Sequence, residues 1–269
     1  VEFDVDFRPR PEISDVLFDF DGTLSLIREG WLEVMAPMFL EMLPLLPGEN
    51  PADLERLVYD DIVRLTGKQT IYQMIQLSER IRQRGGQPQE PLWYKHEYLR
   101  RLQERIGSRQ EDLRSGRIRP DDLLVFGARS LLERLSARGL SLHLASGTDE
   151  PLVKAEAELL DVARYFGGRI YGAQDDFRRF SKQLVIERIL LENHITGHRL
   201  LAFGDGYVEI ENTKRVGGLA VAVASDEARN GCGVPDPRKR ERLLSCGADV
   251  LIPDYRDAPA LLDCILGAG

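Results

Sequence analysis

Val16-Leu17-Phe18-Asp19-Phe20, followed at once by Asp21-Gly22-Thr23-Leu24, decides the reading of this chain. An apolar run this short, closed by a glycine turn, spells a buried strand that ends at a tight loop. A carboxylate placed in such a strand is costly unless a partner or a metal ion compensates it. Asp19 and Asp21 therefore make this strand end the first place to look for chemistry.

Working outward, residues 120–269 alternate between two periods. Helical spacing over 128–138 stops at Gly139, a residue suited to a helix end. An apolar run over 140–145 reads as a strand and meets the turn Ser146-Gly147-Thr148. Helices are expected over 152–160, 182–191 and 258–266, and strands over 169–171, 200–203, 219–224 and 249–252. Strands alternating with helices imply an α/β fold, a Rossmann-like parallel sheet with helices on both faces. In such sheets chemistry sits beyond the carboxyl ends of the strands. Asp19, Ser146 and Asp205 each fall at one of those ends.

Between the first strand and this alternating region the texture changes. Helical apolar spacing runs over 31–46, broken by Pro37, Pro44 and Pro47, and continues over 52–65, 70–84 and 92–106, with polar, Gly- and Pro-rich breaks over 47–51, 85–91 and 107–116. No strand pattern interrupts it. The expected organisation is an α/β core from residues 12–27 and 117–269, an inserted all-helical cap domain over 28–116, and an N-terminal extension over 1–11.

The composition of the 269 residues narrows the classes. Hydrophobic residues make up 43% and charged residues 30%, ordinary for a globular protein. No apolar run approaches the ~20 residues that span a bilayer, and no secretory apolar stretch stands near the start. No membrane association is expected. A net charge of −8 argues against a nucleic-acid-coating surface. Three cysteines, Cys232, Cys246 and Cys264, match no common zinc spacing and read as reduced thiols of a cytoplasmic protein.

What remains is a set of oxygen and nitrogen groups. Asp19 and Asp21 flank one turn, Asp205 and Glu209 follow another strand, Ser146 ends a third, and Lys182 opens a helix. Neighbouring strands would bring several carboxylates together, and like charges repel unless a cation shares them. With only oxygen donors and no His or Cys cluster, a hard cation is implied, and Mg²⁺ fits best. A carboxylate able to attack, beside a hydroxyl and an ammonium able to hold anionic oxygens, suits phosphoryl transfer.

Four motifs in order then carry a resemblance. Asp19-Phe20-Asp21-Gly22-Thr23-Leu24, Leu144-Ala145-Ser146-Gly147-Thr148, Lys182, and Gly204-Asp205-Gly206-Tyr207-Val208-Glu209 resemble the motifs of the haloacid dehalogenase superfamily. The helical insert resembles the cap of its phosphoglycolate phosphatase and β-phosphoglucomutase branch. The resemblance implies that Asp19 attacks phosphorus and binds Mg²⁺. It implies that Asp21 handles the leaving-group and water protons, while its backbone carbonyl also binds the metal. Asp205 would be a metal ligand. Glu209, where Asp is commoner, would orient metal-bound water. Ser146 and the Gly147 amide would bind the phosphoryl group, with Thr148 beside them, and Lys182 would neutralise charge between nucleophile and phosphate.

Two further residues are candidates for substrate contact. Lys68 lies in a polar break between two helices of the insert, where related caps select substrate. Arg28 lies where the chain enters the insert, and reads equally well as a solvated hinge charge. The expected substrate is a small phosphorylated metabolite. A phosphosugar mutase would share every catalytic residue, and a non-catalytic phosphate-binding or regulatory module is the alternative of another class.

Overall fold

The structure, a computed structural model, describes residues 1–174 and 176–267. Val16 and Phe18 pack into one apolar cluster and Leu17 into another, on opposite sides of the backbone. That is the period-2 signature of a strand buried on both faces. This strand is β2 (Asp15–Phe18), which follows a short β1 (Glu2–Phe3). Four helices come next: α1 (Leu32–Met42), α2 (Pro51–Val63), α3 (Thr70–Gln83) and α4 (Pro91–Arg114). Helix α5 (Ala128–Ala137) then leads into β3 (Ser141–Asp149). The chain continues through α6 (Glu150–Leu159), α7 (Ala163–Phe166), β4 (Ile170–Ala173), α8 (Lys182–Glu192), β5 (Leu200–Gly204) and α9 (Tyr207–Arg215). It ends with β6 (Leu219–Val223), α10 (Pro237–Ser245), β7 (Val250–Ile252) and α11 (Ala258–Leu266).

The seven strands form one sheet in the order β1-β7-β6-β5-β2-β3-β4, and every pair except β1 with β7 is parallel. The expected α/β sheet with helices on both faces is what forms. Strand β2 sits between β3 and β5, so the first motif lies beside the second and the fourth. Asp15 pairs with both Ser141 and Leu200, which brings the carboxyl ends of the three strands out together.

Several elements depart from the sequence expectation. Strand β1 belongs to the 1–11 extension, pairing Glu2 with Leu251 and Phe3 with Val250 along the β7 edge. Helix α4 runs on through Gly107 into the stretch expected to be a loop. A mid-helix glycine costs about 1 kcal/mol, offset here by burial of Ile106, Gln110 and Leu113. Helix α1 keeps Pro37 within it. Strand β3 extends to Asp149, past the expected turn. Its register with β4 shifts between Ala145 and Asp149, so Ser146, Gly147 and Thr148 bulge from the ladder.

Helices α1 to α4 share a core with the sheet. Met35, Met38, Val58, Ile62, Met74 and Leu77 join the same cluster as Phe18 and Phe203. No helix among the described residues is long and apolar enough to cross a membrane.

Candidate active site

The turn after β2 is held by its own backbone. The Phe20 carbonyl accepts from the N–H groups of Thr23, Leu24 and Ser25 at 2.8–3.2 Å. Gly22 has φ +72°, and a Cβ there would stand 2.3 Å from Asp205 Oδ2, so both the turn and the close approach require glycine. Later strands pin this loop. The Asp205 amide donates to Thr23 Oγ1 at 3.0 Å, Ser225 Oγ to the Gly22 carbonyl at 2.6 Å, and Tyr255 to the Thr23 carbonyl at 2.9 Å.

Asp19 is one residue past β2, and its amide donates to the Phe203 carbonyl at 2.9 Å. Asp19 Oδ1 accepts from the Phe20 amide at 2.8 Å and meets Lys182 Nζ at 2.8 Å. Lys182 opens α8 behind the N-cap Ser181, is buried, and also contacts the Glu209 carboxylate directly. Burial pushes the Asp19 carboxyl up to about 7. Lys182 opposes that shift, while the nearby charges of Asp205 and Asp21 add to it.

Asp21 has other neighbours. Thr148 Oγ1 donates to its Oδ2 at 2.8 Å, and Ser146 Oγ does so at 3.3 Å. Ser146 Oγ also accepts from the Thr148 amide at 3.0 Å. Arg28 Nε stands 3.7 Å from Asp21 Oδ1, which has no hydrogen bond and is buried.

These groups line a cavity of ≈ 90 Å³ together with residues of the insert. Asp19, Asp21, Ser146, Gly147, Thr148, Lys182 and Asp205 form its sheet-side floor. Arg28, Trp31, Lys68, Gln73 and Tyr98 are among those on the other walls. The insert reaches the floor through residues 66–69. A Cβ on Gly147 would sit 2.5 Å from the Lys68 carbonyl oxygen, and one on Gly206 would sit 3.2 Å from Gly67 Cα. Gln69 is buried and its amide donates to the carbonyls of Phe177 and Phe180, at 2.8 and 2.7 Å.

Of three further sequence candidates, Arg28 and Lys68 line the cavity and Glu209 does not. Arg28 is not a solvated hinge charge. It is buried, and its guanidinium fork is committed to Glu156 on α6, at 3.0 and 2.8 Å. Lys68 lines the cavity but is exposed, and its ammonium lies 5.9 Å from the Tyr72 ring centroid, over the ring. Glu209 is fully buried against Lys182, does not line the cavity, and keeps Oε2 without a hydrogen-bond partner.

The structure adds two residues that the sequence reading passed over. Glu227, just after β6, lines the cavity. Lys239 on α10 links Glu227 Oε1, at 2.7 Å, to Asp205 Oδ2, at 2.8 Å. A signal for Glu227 was present, since Asp226-Glu227 follows a strand end on the side where the other acids gather.

The donor set fits a hard divalent ion only in part. Asp19, Asp21 and Asp205 offer oxygens alone, and their mutual repulsion, which adds to burial in raising the Asp19 carboxyl, is what a shared cation relieves. Among the described residues no three acidic, imidazole or thiol side chains form a ready-made cage. Waters and backbone oxygens would have to complete the shell, as suits Mg²⁺.

Solved structures share this architecture. A predicted phosphoglycolate phosphatase from Haemophilus somnus 129pt superposes with a TM-score of 0.60 at 15% identity, covering 93% of this chain and 98% of its own. A predicted phosphatase from Clostridium acetobutylicum gives 0.60 at 18% identity, covering 93% and 99%. A HAD family hydrolase from Deinococcus radiodurans R1, with bound phosphate and sodium, gives 0.55 at 17% identity, covering 94% and 96%. No curated protein matches the sequence significantly. The family model for haloacid dehalogenase-like hydrolases matches residues 16–217, spanning the turn after β2, the bulge of β3, Lys182 and Asp205. By that match the chain belongs to the haloacid dehalogenase-like hydrolase family.

Proposed function

We propose that this protein is a Mg²⁺-dependent phosphatase that hydrolyses a small phosphomonoester through an aspartyl-phosphate on Asp19. The observation that carries the reading is the contrast between two carboxylates in one turn. Asp19 is set against the Lys182 ammonium, and Asp21 against the hydroxyls of Ser146 and Thr148. Two acids in unlike surroundings can divide nucleophile and proton-transfer roles.

In this reading an Asp19 carboxylate oxygen attacks phosphorus and the ester P–O bond breaks. Asp21 gives its proton to the departing oxygen. Asp21 then takes a proton from a water that attacks phosphorus, which releases phosphate and restores Asp19. Lys182 holds charge on the Asp19 side, while Ser146 and the bulged Gly147 amide hold phosphoryl oxygens. Asp19 and Asp205, with the Asp21 backbone carbonyl, would hold the Mg²⁺, whose bound charge offsets that of the phosphoryl group. Residues 66–69 of the insert exclude bulk water from the reacting atoms.

The bound phosphate and sodium of the Deinococcus relative, and the phosphatases among its fold-mates, support this reading. The test is phosphate release across a panel of phosphomonoesters, including p-nitrophenyl phosphate, with Mg²⁺ and with EDTA. Turnover by the wild type that needs Mg²⁺ and vanishes in Asp19→Asn is expected. A wild type inert across the panel, or an active Asp19→Asn, would overturn it.

A further inference from the structure

Lys239 is the third residue of α10, whose N-cap Asp236 accepts from the Lys239 amide at 2.8 Å. A cation at a helix start opposes the dipole, so something else specifies it. Its ammonium is surrounded by three oxygens: Asp205 Oδ2 at 2.8 Å, Glu227 Oε1 at 2.7 Å and Ser225 Oγ at 3.2 Å. These use all three of its donors. One turn on, Arg242 donates to the Asp205 backbone carbonyl at 3.1 Å. The lysine and both carboxylates are largely buried, with side chains 16%, 11% and 17% exposed for Lys239, Asp205 and Glu227. Glu227 and Asp205 both line the cavity, and both crowd Gly22.

We infer that Lys239 and Glu227 are positioning residues that set the affinity of the site for its divalent ion by balancing charge on Asp205. The inference rests on the reading of Asp205 as an ion ligand. Lys239 competes with the ion for the Asp205 carboxylate, and Glu227 takes up part of that ammonium's charge. Each residue thereby offsets the other.

The signs of the effects are opposed, which a purely structural role would not give. Glu227→Gln leaves the ammonium facing Asp205 alone and should weaken Mg²⁺ binding about fivefold or more. Lys239→Met removes the competing cation and should tighten Mg²⁺ binding by a similar factor. The double variant restores the net charge and should return near the wild-type affinity.

The experiment is calorimetric titration of the full chain with MgCl₂, for the wild type, the two single variants and the double variant, with KM for Mg²⁺ and kcat read separately. Should Lys239→Met fail to fold, Glu227→Gln against the wild type still carries the sign. Opposed shifts with recovery in the double variant support the inference. A common direction for both single variants, or no change in Glu227→Gln, overturns it while leaving the proposed function standing. A wild type that binds no Mg²⁺ removes both.

Discussion

Arg28 and Glu156, 128 residues apart in sequence, form a two-bond ion pair at 3.0 and 2.8 Å where the chain leaves the sheet for the helical insert. Both are buried, and Gln110 of α4 donates to the same carboxylate at 3.3 Å. Burial pushes the Glu156 carboxyl up, and Arg28 opposes that shift. Removing one partner of a buried pair strands the other charge. Arg28→Leu should therefore cost roughly 3–5 kcal/mol, read as a lower urea midpoint. An unchanged midpoint would show that the pair does not hold the insert to α6.

Lys182 touches both Asp19 and Glu209. Lys182→Met leaves these two acids buried without their cation and the phosphoryl group without its ammonium. A kcat loss of on the order of 10²-fold or more is expected, with Mg²⁺ present in excess. A variant within a few-fold of wild type would assign Lys182 to packing.

Gly147 sits against the insert. Gly147→Ala would drive a methyl to 2.5 Å from the Lys68 carbonyl oxygen and 3.0 Å from its carbon. The backbone there is not left-handed, so folding should be little affected. Loop 66–69 should instead be pushed outward, raising KM more than it lowers stability. Equal KM in the two proteins would show that this loop does not close on substrate.

Asp61 ties α2 to α3. Its carboxylate accepts from Arg80 at 2.6 and 3.0 Å, from Arg64 at 3.1 Å and from Gln76 at 3.3 Å. Burial works to raise its carboxyl, but the hydrogen bonds and charge of Arg80, together with the bonds from Gln76 and Arg64, outweigh it and hold the group below its ordinary range. A depressed folded value contributes stability above the unfolded value, about pH 3.9, and loses it as pH falls through the folded one. Asp61→Asn should cost about 1–3 kcal/mol at pH 7. The gap from wild type should shrink below about pH 4. A gap that does not depend on pH would exclude this charge effect.

The sequence made the sheet and the floor of the site legible because both rest on local signals. A short apolar run with an acid, a glycine turn and a parallel alternation place Asp19, Ser146 and Asp205 on strand ends, and the strand order brings them side by side. Elements set by packing were not legible. Strand β1 is two residues long, too short for a period to show, and exists because β7 offers an edge. Helix α4 passes Gly107 because its last turns are buried. The partners of Arg28, Asp21 and Asp205 are side chains from distant segments, namely Glu156, Thr148 and Lys239. No spacing rule links them. Helix α10 carried a visible Asp236-Pro237 start, but its polar composition hid that one lysine turns inward.

The most direct test of Asp19 as the attacking group is a chemical trap. The wild type would be mixed with its best phosphomonoester and Mg²⁺, quenched in acid and reduced with borohydride, and the peptide containing Asp19 weighed by mass spectrometry. Conversion of the Asp19 side chain to an alcohol, dependent on both substrate and Mg²⁺, is the expected result. Phosphate release with Asp19 untouched, or with another side chain converted in its place, would contradict the account.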